Sequence, residues 1–300
     1  MTSQGSAGEI GLVVNAAAGK GTGQRAARLS AERLRAAGFA VREITGRTAA
    51  ESLATARAAV GDGLSGLVAV GGDGTVHLAL QAVAGTTTPL GVVPAGTGND
   101  FATALGLSPR RPSDAVAAVV AGRTRSVDAV RVGDLWWDCV MGAGFDSAVN
   151  ERANGMRWPR GPMRYNLAIL AELGVFRPAP FTLALDGVRS ETEAMLVAVA
   201  NAPAYGGGLR VAPEALLDDG LLDVVVVGPM SKATFLRLLP QVRSGGHIGH
   251  PSVTVHRARV VELAGEGQTA YADGELLSPL PVRAECVPGA LQVFAPGAAT

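Results

Sequence analysis

The stretch that most constrains this chain is Leu67-Val68-Ala69-Val70 running into Gly71-Gly72-Asp73-Gly74-Thr75. A short apolar run bounded by turn residues reads as a buried strand, and the apolar-rich segment Val76 to Ala84 that follows reads as a helix. A glycine loop between them can take positive φ and turn its N–H groups toward an anion, with the positive end of the helix dipole behind it. The loop is therefore suited to hold a phosphate by main chain, with Asp73 orienting a metal ion or its waters. Gly-Gly-Asp-Gly is also an acceptable tight turn, so the motif alone leaves a purely structural role open.

The same alternation recurs around it. Ile10 to Val14 reads as a strand, followed by a second glycine-rich loop, Asn15 to Gly23, and a helix with Ala27, Ala31 and Leu34 on one face. Ala40 to Ile44 is a strand, a helix carries Leu53, Ala56 and Val60, and Leu90 to Val93 is the strand before a third loop, Pro94 to Asp100. Strands alternating with helices predict a parallel sheet covered on both faces, with ligand loops gathered beyond the carboxyl ends of the strands. Two decoys fail. Gly21 to Ala26 fits G-x-G-x-x-A, with Glu43 downstream, but does not follow its strand directly; Lys20 is followed by Gly21, not by the Ser or Thr of a P-loop.

After a helix over Ser113 to Ala121 the pattern changes. Arg125 to Val132, Trp136 to Met141, Phe181 to Asp186, Ala194 to Ala200, Leu222 to Val227, Ser252 to His256 and Arg259 to Ala264 read as strands. Asp186-Gly187 and Asp273-Gly274 are hairpin-turn dipeptides. Successive strands predict an antiparallel sheet domain or sandwich. Helices interrupt it at Ser147 to Phe176, where Tyr165, Ile169 and Leu173 share a face, and around Phe235, Leu238, Leu239 and Val242, where Pro240 should kink the helix. The expected division is an α/β domain over 1–124 and a β domain over 125–300, whose tail can pack back on the first.

With 48% hydrophobic residues the chain can bury a full core, and 26 basic against 26 acidic residues give no global pull toward nucleic acid. Cys139 and Cys286 are expected as buried free thiols of a reducing compartment. No apolar run is long enough to cross a membrane and no basic segment precedes Ile10 to Val14, so the expected location is cytoplasmic. His247, His250 and His256 lack ligand spacing and read as surface residues.

Taken together, the motifs resemble the diacylglycerol kinase catalytic family, which includes soluble bacterial lipid kinases, sphingosine kinases and ceramide kinases. Gly71 to Thr75 is similar to its GGDGT loop, Pro94 to Phe101 to P-x-G-T-x-N-D-F, and Gly142 to Asp146 to G-x-G-F-D. Asn201 to Gly208, Pro213 to Asp223 and Asp273-Gly274-Glu275 follow in the family's order. Residues 152–165 most resemble actinobacterial members. Two departures stand out: three alanines follow Asn15 where Asn-Pro-x-Ser-Gly-Lys is usual, and His77 stands where Asn is favoured.

The resemblance implies a Rossmann-like nucleotide-binding domain followed by a β-sandwich, with the active site in the cleft between them. It implies ATP held by Asn15, Lys20, Thr45, Gly71, Gly72, Asp73, Gly74, Thr75, Gly96, Thr97 and Asn99. A Mg²⁺ ion is implied among Asp73, Asp100 and Asp128, partly through water, although Asp100 equally suits a helix cap. A second, structural metal is implied at Asp219 with the carbonyls of Leu216 and Leu221, where Asp-Asp-Gly is otherwise a turn. Glu275 is the implied general base, and as sequence alone a solvated residue beside a turn. Asp73 is assigned to the metal and nucleotide and not to the fold; Asp273 is assigned to its own turn.

The implied activity is transfer of the ATP γ-phosphate to a lipid hydroxyl, with diacylglycerol giving phosphatidic acid. Alternatives are another lipid (a sphingoid base, ceramide or phosphatidylglycerol), an NAD-kinase-like reaction, or a non-catalytic nucleotide- or lipid-binding module. The implied partners are a lipid at the inner membrane surface, no nucleic acid, and a second copy in a homodimer. Between Ser147 and Pro180 five arginines face two acids, with Trp158, Tyr165 and Phe176 interleaved. That composition suits either an anionic bilayer surface or a solvated helix face.

Overall fold

Each apolar run of the first half forms a strand, and each helical pattern a helix, in the structure, a computed structural model that describes residues 8–14, 22–156, 158 and 162–296. The order is β1 (Glu9–Val14), α1 (Thr22–Ala36), β2 (Ala40–Ile44), α2 (Ala49–Gly61), β3 (Gly66–Gly71), α3 (Asp73–Val83), β4 (Leu90–Pro94), α4 (Asp100–Ala104) and α5 (Pro112–Val120). Ala27, Ala31 and Leu34 are buried, as the spacing on α1 predicts. Thr48 caps α2 by accepting the Glu51 N–H.

The second half continues with β5 (Thr124–Val132), β6 (Leu135–Trp137), β7 (Val140–Gly144), α6 (Phe145–Gly155), α7 (Pro162–Val175), β8 (Ala179–Leu185), β9 (Val188–Ala194), β10 (Leu196–Ala200) and β11 (Leu222–Val227). Then come α8 (Lys232–Val242), a 3-10 turn at Gly246–Gly249, β12 (Val253–Ala258), β13 (Val260–Ala264), β14 (Thr269–Ala272), β15 (Glu275–Pro279) and β16 (Val282–Phe294). The chain forms two compact units, one of the described residues up to Ala129 and from Val287 onward, the other from Val130 to Cys286.

In the first unit the strand order is β2-β1-β3-β4, extended by the carboxyl-terminal part of β16 beside β4, all parallel. Helix α1 packs with α5, and α2 with α3. The order reverses between β1 and β3, the switch point at which such sheets bind ligands.

The second unit is a sandwich. One sheet runs β12-β11-β10-β7-β14-β15, antiparallel throughout. The other holds β8 between β9 and β13, with the amino-terminal part of β16 beyond β13. Alternate residues of both sheets meet in one core, including Val197 and Val199, Leu222 and Val224, Phe181 and Leu183, and Val261 and Leu263.

Two expected strands turn out to be crossings. Trp136 to Met141 is the end of β6 and the start of β7, in different sheets, and Ala194 to Ala200 likewise passes from β9 to β10 at Met195. Both sides of each crossing are buried, so no exposed polar turn marks the change of sheet, although Asp138 interrupts the first run. Strand β9 (Val188–Ala194) was invisible to pattern reading because it is polar and mostly exposed. His247 corrects the surface expectation: it is 3% exposed, with Nε2 in a hydrogen bond to the Val211 carbonyl at 3.0 Å. Cys139 and Cys286 are free and buried. Asp186-Gly187 and Asp273-Gly274 have φ of 48° and 87°, and of 51° and 84°, as type I′ turns need. Among the described residues no helix is long and apolar enough to cross a membrane.

Candidate active site

The register brings the first unit's loops to one edge. Val14 pairs with Val70 and Val70 with Val93, so the loops after β3 and β4 leave the sheet at one level. Ile44 pairs with Val13, which brings Thr45 to the same edge. Thr45, Gly71 to Thr75 and Gly96 to Asn99 thus leave the sheet at the same edge. Asn15 and Lys20 lie outside the described residues. A groove of about 340 Å³ between α1 and β2 includes Thr45 with Gln24, Arg28, Arg35 and Glu43. A larger groove, about 750 Å³, lies by β8, β9 and residues 264–266 and contains none of the expected site residues.

The two glycine loops touch backbone to backbone. The Ala95 N–H donates to the Gly71 carbonyl at 2.8 Å. A Cβ on Gly96 would lie 2.3 Å from the Gly72 Cα, closer than any real Cβ contact. None of Gly71, Gly72, Gly74, Gly96 or Gly98 has positive φ. These glycines serve close approach, not the left-handed backbone that the sequence reading expected. Gly96→Ala should therefore part the loops and abolish nucleotide binding, while the strands beneath keep the unit folded. ATP titration of the folded variant checks this, and near wild-type affinity would contradict it.

Asp73 joins the loops. Its Oδ2 accepts the Asn99 N–H and its Oδ1 the Asp100 N–H, both at 2.9 Å. Asn99 sits in the left-handed region at φ 63° and bonds Gly96 through both side-chain atoms. The α4 N-terminus is thus met by Asp73 from another loop. Asp73 consequently belongs to the fold as well as to the site. The Thr75 and Val76 N–H groups both donate to the Gly72 carbonyl, so those of Asp73 and Gly74 precede the first bonds of α3.

The Asp73 and Asp100 carboxylates expected around Mg²⁺ both lie against Gly98: a Cβ there would stand 2.2 Å from Asp73 Oδ2 and 3.5 Å from Asp100 Oδ2, so any larger residue would displace the first. Both offer the hard oxygen donors that Mg²⁺ takes. Each Asp73 oxygen keeps a lone pair beyond its backbone bond. Asp128 does not complete a close trio: it is 2% exposed and accepts the Gly289 N–H at 2.8 Å, which ties β5 to β16. Among the described residues the one close trio of His, Cys, Asp or Glu ligand atoms is Asp138, Cys139 and Asp273.

In the second unit Asp273 accepts the N–H groups of Asp138, Cys139 and Val140 at 3.0 to 3.1 Å. These bonds hold the β6–β7 crossing, a structural role that reaches beyond its own turn. Glu275 follows that turn as the exposed first residue of β15. Among the described residues no hydrogen bond or ion pair engages its carboxylate, which suits a proton acceptor. The expected metal site at Asp219 differs: Oδ1 accepts the Leu221 N–H at 3.1 Å and Oδ2 pairs with the Arg257 guanidinium. Arg257 also approaches Asp223 at 3.7 Å. The chain's own cation thus pairs with Asp219 where the resemblance implies a metal.

Asp146, which ends the G-x-G-F-D motif, is a carboxylate to which the sequence alone assigns no role. Its Oδ1 accepts the Tyr205 hydroxyl at 2.9 Å, and its Oδ2 the Asn150 side-chain N–H at 3.3 Å. Part of its surface stays open, yet burial pushes the carboxyl up to about 6, against the pull of Tyr205. The folded protein then binds its proton more tightly than the unfolded chain. The contribution is full below about pH 4 and is lost as pH rises through 6. Asp146→Asn should be more stable than the parent by about 1–3 kcal/mol at pH 8, the gap closing toward pH 4. Urea unfolding across that range checks it; parallel pH profiles would contradict the burial argument.

Two family models match the chain in succession. Residues 9–132 match the diacylglycerol kinase catalytic domain, and residues 139–295 the YegS C-terminal NAD kinase beta sandwich-like domain. A solved diacylglycerol kinase from Bacillus anthracis str. Sterne shares the fold, with TM-score 0.71 and 20% identity over 97% of this chain and 98% of that one. The diacylglycerol kinase of Mycobacterium tuberculosis is 42% identical over 96% of both chains. A probable YegS-like lipid kinase of Stenotrophomonas maltophilia is 31% identical over 79% of this chain and 81% of its own. The chain belongs to the diacylglycerol kinase catalytic family.

Proposed function

We propose that the protein is an ATP-dependent lipid kinase whose acceptor is the hydroxyl of diacylglycerol, with phosphatidic acid as product. The observation that carries the reading is the backbone-to-backbone packing of the two glycine loops, with Asp73 bridging them at the α3 N-terminus. That edge is built for polyphosphate, and the family assignment supplies the lipid as acceptor.

In this reading the β3 and β4 loops hold the phosphates through main chain, with Thr75, Thr97 and Thr45 beside them. Asp73 and Asp100 would hold Mg²⁺, which neutralises charge on the transferred phosphoryl group. Glu275 accepts the hydroxyl proton as the new O–P bond forms, since a lipid alcohol is too weakly acidic to attack unaided. Phosphoryl transfer of this kind is mostly positioning and charge stabilisation. The Asp73 bridge, which fixes one glycine loop against the other, is the chain's contribution to the first.

A lipid panel in mixed micelles, with labelled ATP and product identification, tests the acceptor. Diacylglycerol should be preferred over sphingoid base, ceramide and phosphatidylglycerol. Phosphorylation of NAD, or of another lipid in preference, would replace this reading.

A further inference from the structure

The stretch Asn201 to Gly208 stands in the family's order, yet none of its residues has a part in the chemistry proposed above. Its first residue, Asn201, is 0% exposed. A buried asparagine has to place its polar atoms within the fold, so what it bonds decides its role. The Asn201 and Ala202 N–H groups donate to the Cys139 carbonyl at 2.8 and 3.1 Å. The Asn201 side chain donates through Nδ2 to the Asp138 carbonyl at 2.9 Å.

Both carbonyls belong to the crossing at which the chain leaves β6 for β7. Asp138 and Cys139 lie outside either strand and are each 3% exposed, so their backbone groups need protein partners. Asp273 supplies one set. Its carboxylate accepts the N–H groups of Asp138, Cys139 and Val140, and its own N–H donates to the Val140 carbonyl at 3.1 Å. Asn201 and Ala202 supply the other. Together the two segments meet the N–H and the carbonyl of each residue from Asp138 to Val140, and the crossing is clamped between them.

Asp273 also opens the two-residue turn that ends at Glu275, and Glu275 pairs with Ala272 across that turn. Among the described residues no bond engages the Glu275 carboxylate, so its place is set by the turn and by what holds the turn. We propose that Asn201 is a positioning residue for phosphoryl transfer: it braces the crossing against which Asp273 seats the turn that carries Glu275. The inference rests on Glu275 being the base. Misplacing a reacting group by about 1 Å costs on the order of a hundredfold in rate, so a buried brace can govern turnover without touching substrate.

The test is a double-mutant cycle on diacylglycerol turnover, read per folded molecule. Asn201→Ala should lower kcat by roughly 10–100-fold, with the KM for ATP unchanged. In the Glu275→Gln background the same substitution should cost about twofold or less, because the group it positions is already gone. A merely structural role would cut both backgrounds by one factor, and a contact with the lipid would raise the lipid KM. Either result overturns the proposal, as does near wild-type turnover of Asn201→Ala. Failure of the base assignment looks different: Glu275→Gln alone then keeps its turnover, and the proposal falls with it.

Removing a buried donor can also unfold the chain. Asn201→Ser keeps a hydroxyl donor on a shorter arm and goes through the same cycle. Val261→Ala, in the sandwich core of the same unit, lowers stability without touching the crossing. Its kcat per folded molecule should match the parent's. A fall equal to that of the Asn201 variants would assign both to lost stability and overturn the proposal.

Discussion

Glu275→Gln is expected to lower turnover by roughly 10²–10⁴-fold, the usual contribution of a positioned base, with ATP affinity retained. The amide keeps the shape of the side chain and removes the proton acceptor. The loops proposed to hold nucleotide belong to the first unit and are untouched. Glu275 is exposed and otherwise unengaged, so the melting temperature should not move. Glu275→Asp should recover little, because a shorter arm misplaces the oxygen. Asp273→Asn is the instructive neighbour. Its carboxylate holds three N–H groups at the β6–β7 crossing, so its loss should appear first as instability. If Glu275→Gln keeps near wild-type turnover, Glu275 is not the base.

Asp73→Ala is expected to fail in both respects. Turnover should vanish, because the carboxylate proposed to hold Mg²⁺ is gone. Stability should fall by about 2–4 kcal/mol, since two charge-assisted backbone bonds that cap α4 are lost together. Asp73→Asn can keep one of the two acceptors and should fall between in stability while remaining inactive. Thermal unfolding with ATP titration of the folded fraction separates the roles. An unchanged melting temperature would remove the structural role, and retained turnover the catalytic one.

The sequence was most legible where periodicity and function coincide. The apolar run before Gly71 and the turn residues after it named a strand, a loop and a helix, and the loops meet because the parallel register is level. What escaped has a common cause: a side chain's target on a distant segment leaves no local trace. Asp73 capping α4, Asp128 tying β16 and Asp273 gathering the β6–β7 crossing are all bonds across long sequence separations. The glycines were located correctly, but their reason was not, since crowding by another loop cannot be read from one loop alone. The strands of the sandwich were harder. Burial continues through Asp138–Cys139 and Met195, where the chain changes sheets, while the polar edge strand β9 shows no alternation to detect. Asp146 lay in plain view within its motif, yet its shifted acidity comes from burial, which only the fold reveals.

The central claim, that the glycine-loop edge and Glu275 serve phosphate transfer to a lipid alcohol, is tested most directly by one product analysis. The protein is incubated with γ-labelled ATP, Mg²⁺ and diacylglycerol in mixed micelles, beside its Glu275→Gln variant, and the lipid fraction is identified by mass spectrometry. Label in phosphatidic acid, nearly absent with the variant, is the predicted result. Label absent from every lipid, or equal in parent and variant, would contradict it.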